Sequence, residues 1–203
     1  EHARETYPAV QFLHGFAPAA LGETARSADL FLLMDVIEHV PDDFRLVSDL
    51  MSAAKPGALF LITVPADMTL WSPHDVAFRH YRRYDAQRLQ RVWEGLSTDT
   101  LLLSHFNTRL LPVVRGIRTL NRMRGHTLGS EGTDLSVPAP PVNRLLENIF
   151  AGEATRLESA LHGHGVGYRR GVSLIAIVRK NADDIAPRSW PASVPRDTHG
   201  PVD

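Results

Sequence analysis

There is no cysteine in this chain. Disulfides, thiolate metal sites, iron–sulfur clusters and cysteine nucleophiles are excluded, and a reducing, cytoplasmic compartment is expected. Nor is there an excess of charge of either sign. Lys and Arg number 22 against 23 Asp and Glu, for a formal net charge of −1. That balance argues against a strongly basic nucleic-acid binder and against an acidic tail protein. No apolar run approaches the roughly 18 residues of a membrane span. The longest, Leu30–Met34 and Ala58–Val64, are strand-sized. An initiator methionine and a signal-peptide pattern are also missing. Glu1–Tyr7 holds helix formers with no N-cap ahead of them, so it reads as the end of a helix already begun and predicts a longer parent chain. What is present is a 203-residue sequence with an apolar share of 43%, enough for one medium domain with a real core.

The periodicity alternates between strand and helix. Val10–His14 alternates apolar and polar residues and predicts a short strand, followed by a polar loop over Leu21–Ala28. Asp29–Met34 is a continuous apolar run, as expected of a strand buried on both faces. Asp42 is placed to cap a helix carrying Leu46, Val47, Leu50, Met51 and Ala54 at helical spacing. Lys55-Pro56-Gly57 stops that helix, and Ala58–Val64 is a second buried strand. Strand, helix, strand at this length implies a right-handed parallel crossover and an α/β class. Further on, the pattern predicts a polar, aromatic loop over Met68–Arg83, a helix over Asp85–Gly95 and a strand over Asp99–Phe106. Helices over Leu110–Met123 and Asn143–Leu161 and a last strand over Gly171–Arg179 follow. The domain is expected over 1–182, with a flexible insertion at about 125–141 and a disordered tail over 183–203. In such sheets ligands bind beyond the carboxyl ends of the strands, here His14–Ala17, Met34–Val40 and Val64–Trp71.

The stretch from Ala28 to Pro65 carries the most information. Its strand ends in DVIEHV (Asp35–Val40), its helix ends in KPG (Lys55–Gly57), and its next strand is ALFLITVP. In order and spacing these pieces resemble the middle of the class I S-adenosylmethionine-dependent methyltransferases, and within them the ubiquinone-biosynthesis-type enzymes that act on small molecules. HDVAFRHYRRY (His74–Tyr84), PPVNRLLE (Pro140–Glu147) and GVSLIAIVRK (Gly171–Lys180) extend the resemblance to one bacterial subgroup, so that it spans Glu1 to Lys180. It implies a Rossmann-like, mostly parallel sheet of seven strands in the order 3-2-1-4-5-7-6, with the last strand antiparallel and extra helices near the carboxyl terminus. It implies S-adenosylmethionine as cofactor, with the adenine near Gly15, Phe16 and Ala17 and the methionine end near Asp35, Val36 and Glu38. The family's first strand, its glycine-rich loop and the acidic residue that holds the ribose have no counterpart in this sequence. The resemblance places them, about two βα units, upstream of Glu1. With those strands missing, Val10–His14 is expected either to pair beside the next strand or to be held loosely.

His39, His74 and His80 are the candidates for a general base, because an imidazole titrates near neutrality. His39 reads equally as an exposed residue leading into a helix. Trp71, Arg79 and Tyr81 are the candidate substrate contacts. Arg79, Arg82 and Arg83 suit a carboxylate or phosphate, and also suit a solvated, salt-bridged loop. The adjacent His74 and Asp75 invite a metal reading, but partners at a fixed spacing are not evident, so no metal is expected. The basic helix Leu110–Arg124 is read as a surface helix on its own core, with contact to an anionic membrane surface as the second reading. The expected function is methyl transfer to a small-molecule acceptor, lipid- or sugar-linked acceptors included. Two alternatives stand beside it: a truncated, non-catalytic methyltransferase-like partner subunit, and a nucleotide-dependent oxidoreductase.

Overall fold

A computed structural model describes residues 2–124, 140–182 and 185–195. Four strands form one sheet: β1 (Leu30–Met34), β2 (Leu59–Pro65), β3 (Thr98–Phe106) and β4 (Ser173–Lys180), in the order β1-β2-β4-β3. β1 and β2 are parallel, with Leu32 opposite Leu61, while β4 runs antiparallel to both β2 and β3. Three strands therefore share one direction and the last opposes them. This is a truncated Rossmann-like sheet, and its order matches the 4-5-7-6 half of the expected arrangement.

Helices α1 (His2–Thr6), α2 (Glu23–Ser27), α3 (Asp43–Ala53), α4 (Pro73–Ala77), α5 (Ala86–Arg91), α6 (Leu111–Arg124) and α7 (Pro140–Leu161) complete the described chain. Asp42 caps α3 by accepting from the Arg45 amide at 2.9 Å, as its sequence position predicts. Val47, Leu50 and Met51 of α3, with Leu89, Val92 and Trp93 at α5, pack on Phe31, Leu33, Phe60, Ile62, Val64, Leu174, Ala176 and Val178. Phe31 and Phe60 stack with ring centres 4.6 Å apart. None of the described helices is long and apolar enough to cross a membrane.

Four expectations change. Val10–His14 forms no strand and pairs with nothing in the sheet, so the looser of its two expected fates holds. β1 is not buried on both faces: Phe31 and Leu33 face the core, whereas Leu30, Leu32 and Met34 are exposed. No helix among the described residues covers that second face, and an apolar run reports hydrophobicity without reporting what lies opposite. The loop over Leu21–Ala28 contains α2, which buries Ala25. The tail expected to be disordered is ordered over 185–195. There Ile185 and Val194 are buried, and the Arg188 amide donates to Ser48 Oγ at 2.8 Å. The Trp190 amide donates to Asp42 and its indole lies edge-on to Phe44. Few large apolar residues suffice here because polar groups of α3 and α5 supply the anchors. Most of the expected insertion, 125–139, lies outside the described residues, as do 183–184 and 196–203.

Candidate active site

The carboxyl ends of β1 and β2 carry the unusual chemistry. Each strand exits through a non-glycine residue in the left-handed region, Asp35 at φ 51° and Asp67 at φ 64°. That conformation costs about 1 kcal/mol for an L-residue and persists only where the surroundings enforce it. Both the Thr63 carbonyl and hydroxyl accept from the Asp35 amide, which fixes the first turn. Asp67 is held by the Thr69 amide and hydroxyl and by Arg115 at 2.9 Å. Burial raises its carboxyl, but these donors outweigh that and the group ends below the usual carboxylate range.

After Asp35 the chain makes a single helical turn, Ile37–His39. That turn is clamped from outside by Arg82, which is buried and donates to the carbonyls of Ile37, Val40 and Pro41 at 3.2, 2.7 and 2.9 Å. The Tyr81 amide donates to the Glu38 carbonyl at 2.8 Å. Arg83 is also buried, donating to Asp75 at 2.8 Å and to the Ala66 carbonyl at 3.0 Å. Arg82 and Arg83 therefore form neither a solvated loop nor a free anion grip. They are the staples between the two strand exits. Tyr84 completes the set, its hydroxyl donating to the buried Asp43, which also takes two hydrogen bonds from Arg88.

The stapled loop brings His80 to Glu38 and His39. Suitable ligand atoms of Glu38, His39 and His80 lie within 4.8 Å of one another, and the two imidazoles meet edge to face with centres 4.6 Å apart. Glu38 is 1% exposed, and neither of its carboxylate oxygens has a hydrogen-bond partner. Burial pushes its carboxyl up to about 7, with the nearby Asp35 charge adding to the rise. His39 is half-exposed, with Nε2 3.9 Å from Glu38 Oε1. Burial and the His80 charge lower its pKa, against a hydrogen bond to the Phe78 carbonyl. The His80 Nδ1 lies 3.1 Å from Asp75. Asp75 itself sits in the capping box of α4, where the Ser72 amide and hydroxyl donate to it. Burial raises the Asp75 carboxyl, but His80, Arg83 and Ser72 together hold it well below the usual range. Asp35 is exposed at the rim, its carboxyl raised by desolvation against the pull of His80 and His39.

His74 stands slightly apart, its ring tilted on Phe78 at 4.3 Å and its pKa lowered by burial. A cleft of about 980 Å³ opens beside the β2 exit, lined by Met68, Tyr81, Arg91, His105, Arg115 and Arg170 among others. Tyr81 thus joins cleft and cluster, while Trp71 and Arg79 do not line the cleft. Val36 is exposed next to Asp35. Gly15, Phe16 and Ala17 belong to the unpaired amino-terminal segment, and Phe16 is 93% exposed.

No family model matches the chain. A curated protein of Mycolicibacterium smegmatis, described as a probable S-adenosylmethionine-dependent methyltransferase, is 32% identical over 109 residues, 51% of this chain and 42% of that protein. Over that stretch the chain is similar to an S-adenosylmethionine-dependent methyltransferase. Among solved structures, a phosphoethanolamine N-methyltransferase 2 of Haemonchus contortus in complex with S-adenosyl-L-methionine overlaps 83% of this chain and 35% of its own, at 14% identity and a TM-score of 0.39. The chain spans less than half the length of either of these methyltransferases. The ubiquinone-type subgroup finds no separate support in these names.

Proposed function

We propose that this chain supplies the acceptor side of an S-adenosylmethionine-dependent methyl transfer to a small molecule. The observation that carries the reading is the Glu38–His39–His80 cluster at the carboxyl end of β1, beside an open cleft. The residues present suit one end of the cofactor: Asp35 offers an exposed carboxylate at the strand exit, where an ammonium group is favourably met. The glycine turn and ribose clamp have no counterpart in this sequence, and this chain by itself is expected to bind the cofactor weakly. A calorimetric affinity in the low micromolar range for this chain alone would overturn that expectation.

When bound, S-adenosylmethionine supplies an electrophilic methyl group, and the protein's task is to present a nucleophile in line with it. His39 is the half-exposed member of the cluster, and its lowered pKa keeps it neutral near pH 7. It is placed to take the proton of an acceptor hydroxyl. Glu38, buried behind it, stabilises the imidazolium that results. Arg91 and Arg170 in the cleft meet no carboxylate among the described residues, which favours an acceptor carrying a carboxylate or phosphate.

The test is transfer of a radiolabelled methyl group to hydroxyl-bearing acceptors by the protein as made in the cell. His39→Gln is expected to lower kcat by about 100-fold or more, the usual scale of a lost general base. Binding of a nicotinamide nucleotide that S-adenosylmethionine does not displace would favour the oxidoreductase. A stable co-purifying partner that alone carries cofactor binding would favour the non-catalytic subunit.

A further inference from the structure

We propose that Glu38, His39 and His80 form a binding site for a divalent cation of the zinc, cobalt or manganese class. The inference does not rest on the methyl-transfer reading, and because a ligated imidazole cannot take a proton, the base role given to His39 above belongs to the metal-free protein.

Three independent features point to it. The first is spacing. Ligand atoms of the three side chains already lie within 4.8 Å of one another. A tetrahedral site with bonds near 2.0–2.2 Å needs separations of about 3.3–3.6 Å, and Glu38 Oε1 and His39 Nε2 stand 3.9 Å apart. The second is the state of Glu38. A buried carboxylate is ordinarily paired or bound to a metal, yet both Glu38 oxygens lack a hydrogen-bond partner. Arg82, whose charge acts on Glu38, donates to the Ile37, Val40 and Pro41 carbonyls and lies 3.7 Å from Asp43. A cation between the imidazoles and the carboxylate would give this side chain the partner it lacks.

The third feature is the support behind His80. Its Nδ1 is held by Asp75, and Asp75 is fixed by Ser72 and Arg83. An imidazole with one nitrogen bound to a carboxylate presents the other to a metal, the arrangement that orients ligating histidines generally. Two nitrogens and one carboxylate favour borderline cations over magnesium or calcium. Three protein ligands leave one position open, so the bound ion would face solvent or an acceptor oxygen on the side where Asp35 lies.

The experiment titrates the chelator-stripped protein with cobalt(II), followed by visible absorption, with zinc as competitor and no S-adenosylmethionine present. One saturating equivalent, displaced by zinc, is expected. Glu38→Gln and His80→Gln should each weaken binding at least tenfold, and Asp75→Asn, which holds His80 without being a ligand itself, by about 10–100-fold. His162→Gln, on the exposed end of α7, should leave it unchanged. Circular dichroism checks each fold. Should Glu38→Gln fail to fold, His39→Gln carries the same test, since its ring is half-exposed. Absence of saturable binding, or an affinity unaffected by the Glu38, His39 and His80 variants, overturns the proposal. Cation binding without methyl transfer would count against the function proposed above and leave this site standing. Methyl transfer without cation binding would do the reverse.

Discussion

Replacing Glu38 by Gln should change how stability depends on pH. Folded Glu38 takes up its proton near pH 7, against 4.5 for an ordinary glutamate. Between those values the folded state holds more protons than the unfolded state, so this carboxyl makes stability fall as pH rises through the window. Integrating the linkage from about pH 5 to about pH 8 gives a loss of about 2.5 kcal/mol from this one group. At 1% exposure solvent screens little of it. The lowered pKa of His39 acts with the opposite sign, raising stability as pH climbs toward its unfolded value. That contribution is common to both proteins and drops out of the difference. The assay is urea unfolding of the protein and of Glu38→Gln at both pH values, with a chelator present. The variant should be the less pH-sensitive, losing about 2.5 kcal/mol less than the parent across the interval. Parallel pH profiles, within about 0.5 kcal/mol, would refute the picture of a buried, unpartnered carboxyl.

The staples and the sheet make further claims. Arg82→Ala leaves three backbone carbonyls without their donor and should cost about 3 kcal/mol, read as a lowered urea midpoint. Lysine should not restore it, because its point charge cannot span three acceptors. Tyr84→Phe removes one hydrogen bond to Asp43 and should cost about 1–2 kcal/mol, whereas Asp43→Asn, which strands Arg88 and Arg82, should cost about 3–5 kcal/mol by the same measurement. Leu32→Lys on the exposed face of β1 should shift stability by no more than about 0.5 kcal/mol, while Phe60→Ala on the opposite face should cost about 3–5 kcal/mol. Equal costs would contradict the one-sided burial of the sheet.

The strands and the α3 cap were legible because their signals are local. Leu59–Pro65 is apolar but for Thr63, and Asp42 sits one residue before a helical repeat. The antiparallel last strand followed from family resemblance. Val10–His14 shows where local pattern fails. Its alternation suits a strand, but a strand exists only against a neighbour, and its Val10 and Leu13 stay exposed. The Glu38–His39–His80 cluster was half visible. Glu38 and His39 stood out at a strand exit, but His80 lies 41 residues beyond His39, and the Arg82 clamp together with the Tyr81 amide on the Glu38 carbonyl brings it back. Arginines in a polar loop read as solvated because sequence does not disclose carbonyls in need of donors. One missed signal was available: Ser72-Pro-His-Asp75 has the spacing of a capping box, which predicts that Asp75 is held by its own helix and not free for a ligand.

The loop from Tyr81 to Tyr84 is tied at once to the turn after β1, to the Ala66 carbonyl after β2 and to Asp43 of α3. The two strand exits and the helix between them therefore cannot separate without breaking buried, charge-assisted bonds. Amide hydrogens in this loop, that of Tyr81 above all, should exchange with solvent only when the sheet itself opens, while those around Phe16 exchange almost at once. The placement of the Tyr81–Tyr84 loop is thus set when the chain folds and not when a ligand arrives. Any motion that accompanies ligand binding is expected in elements other than this loop.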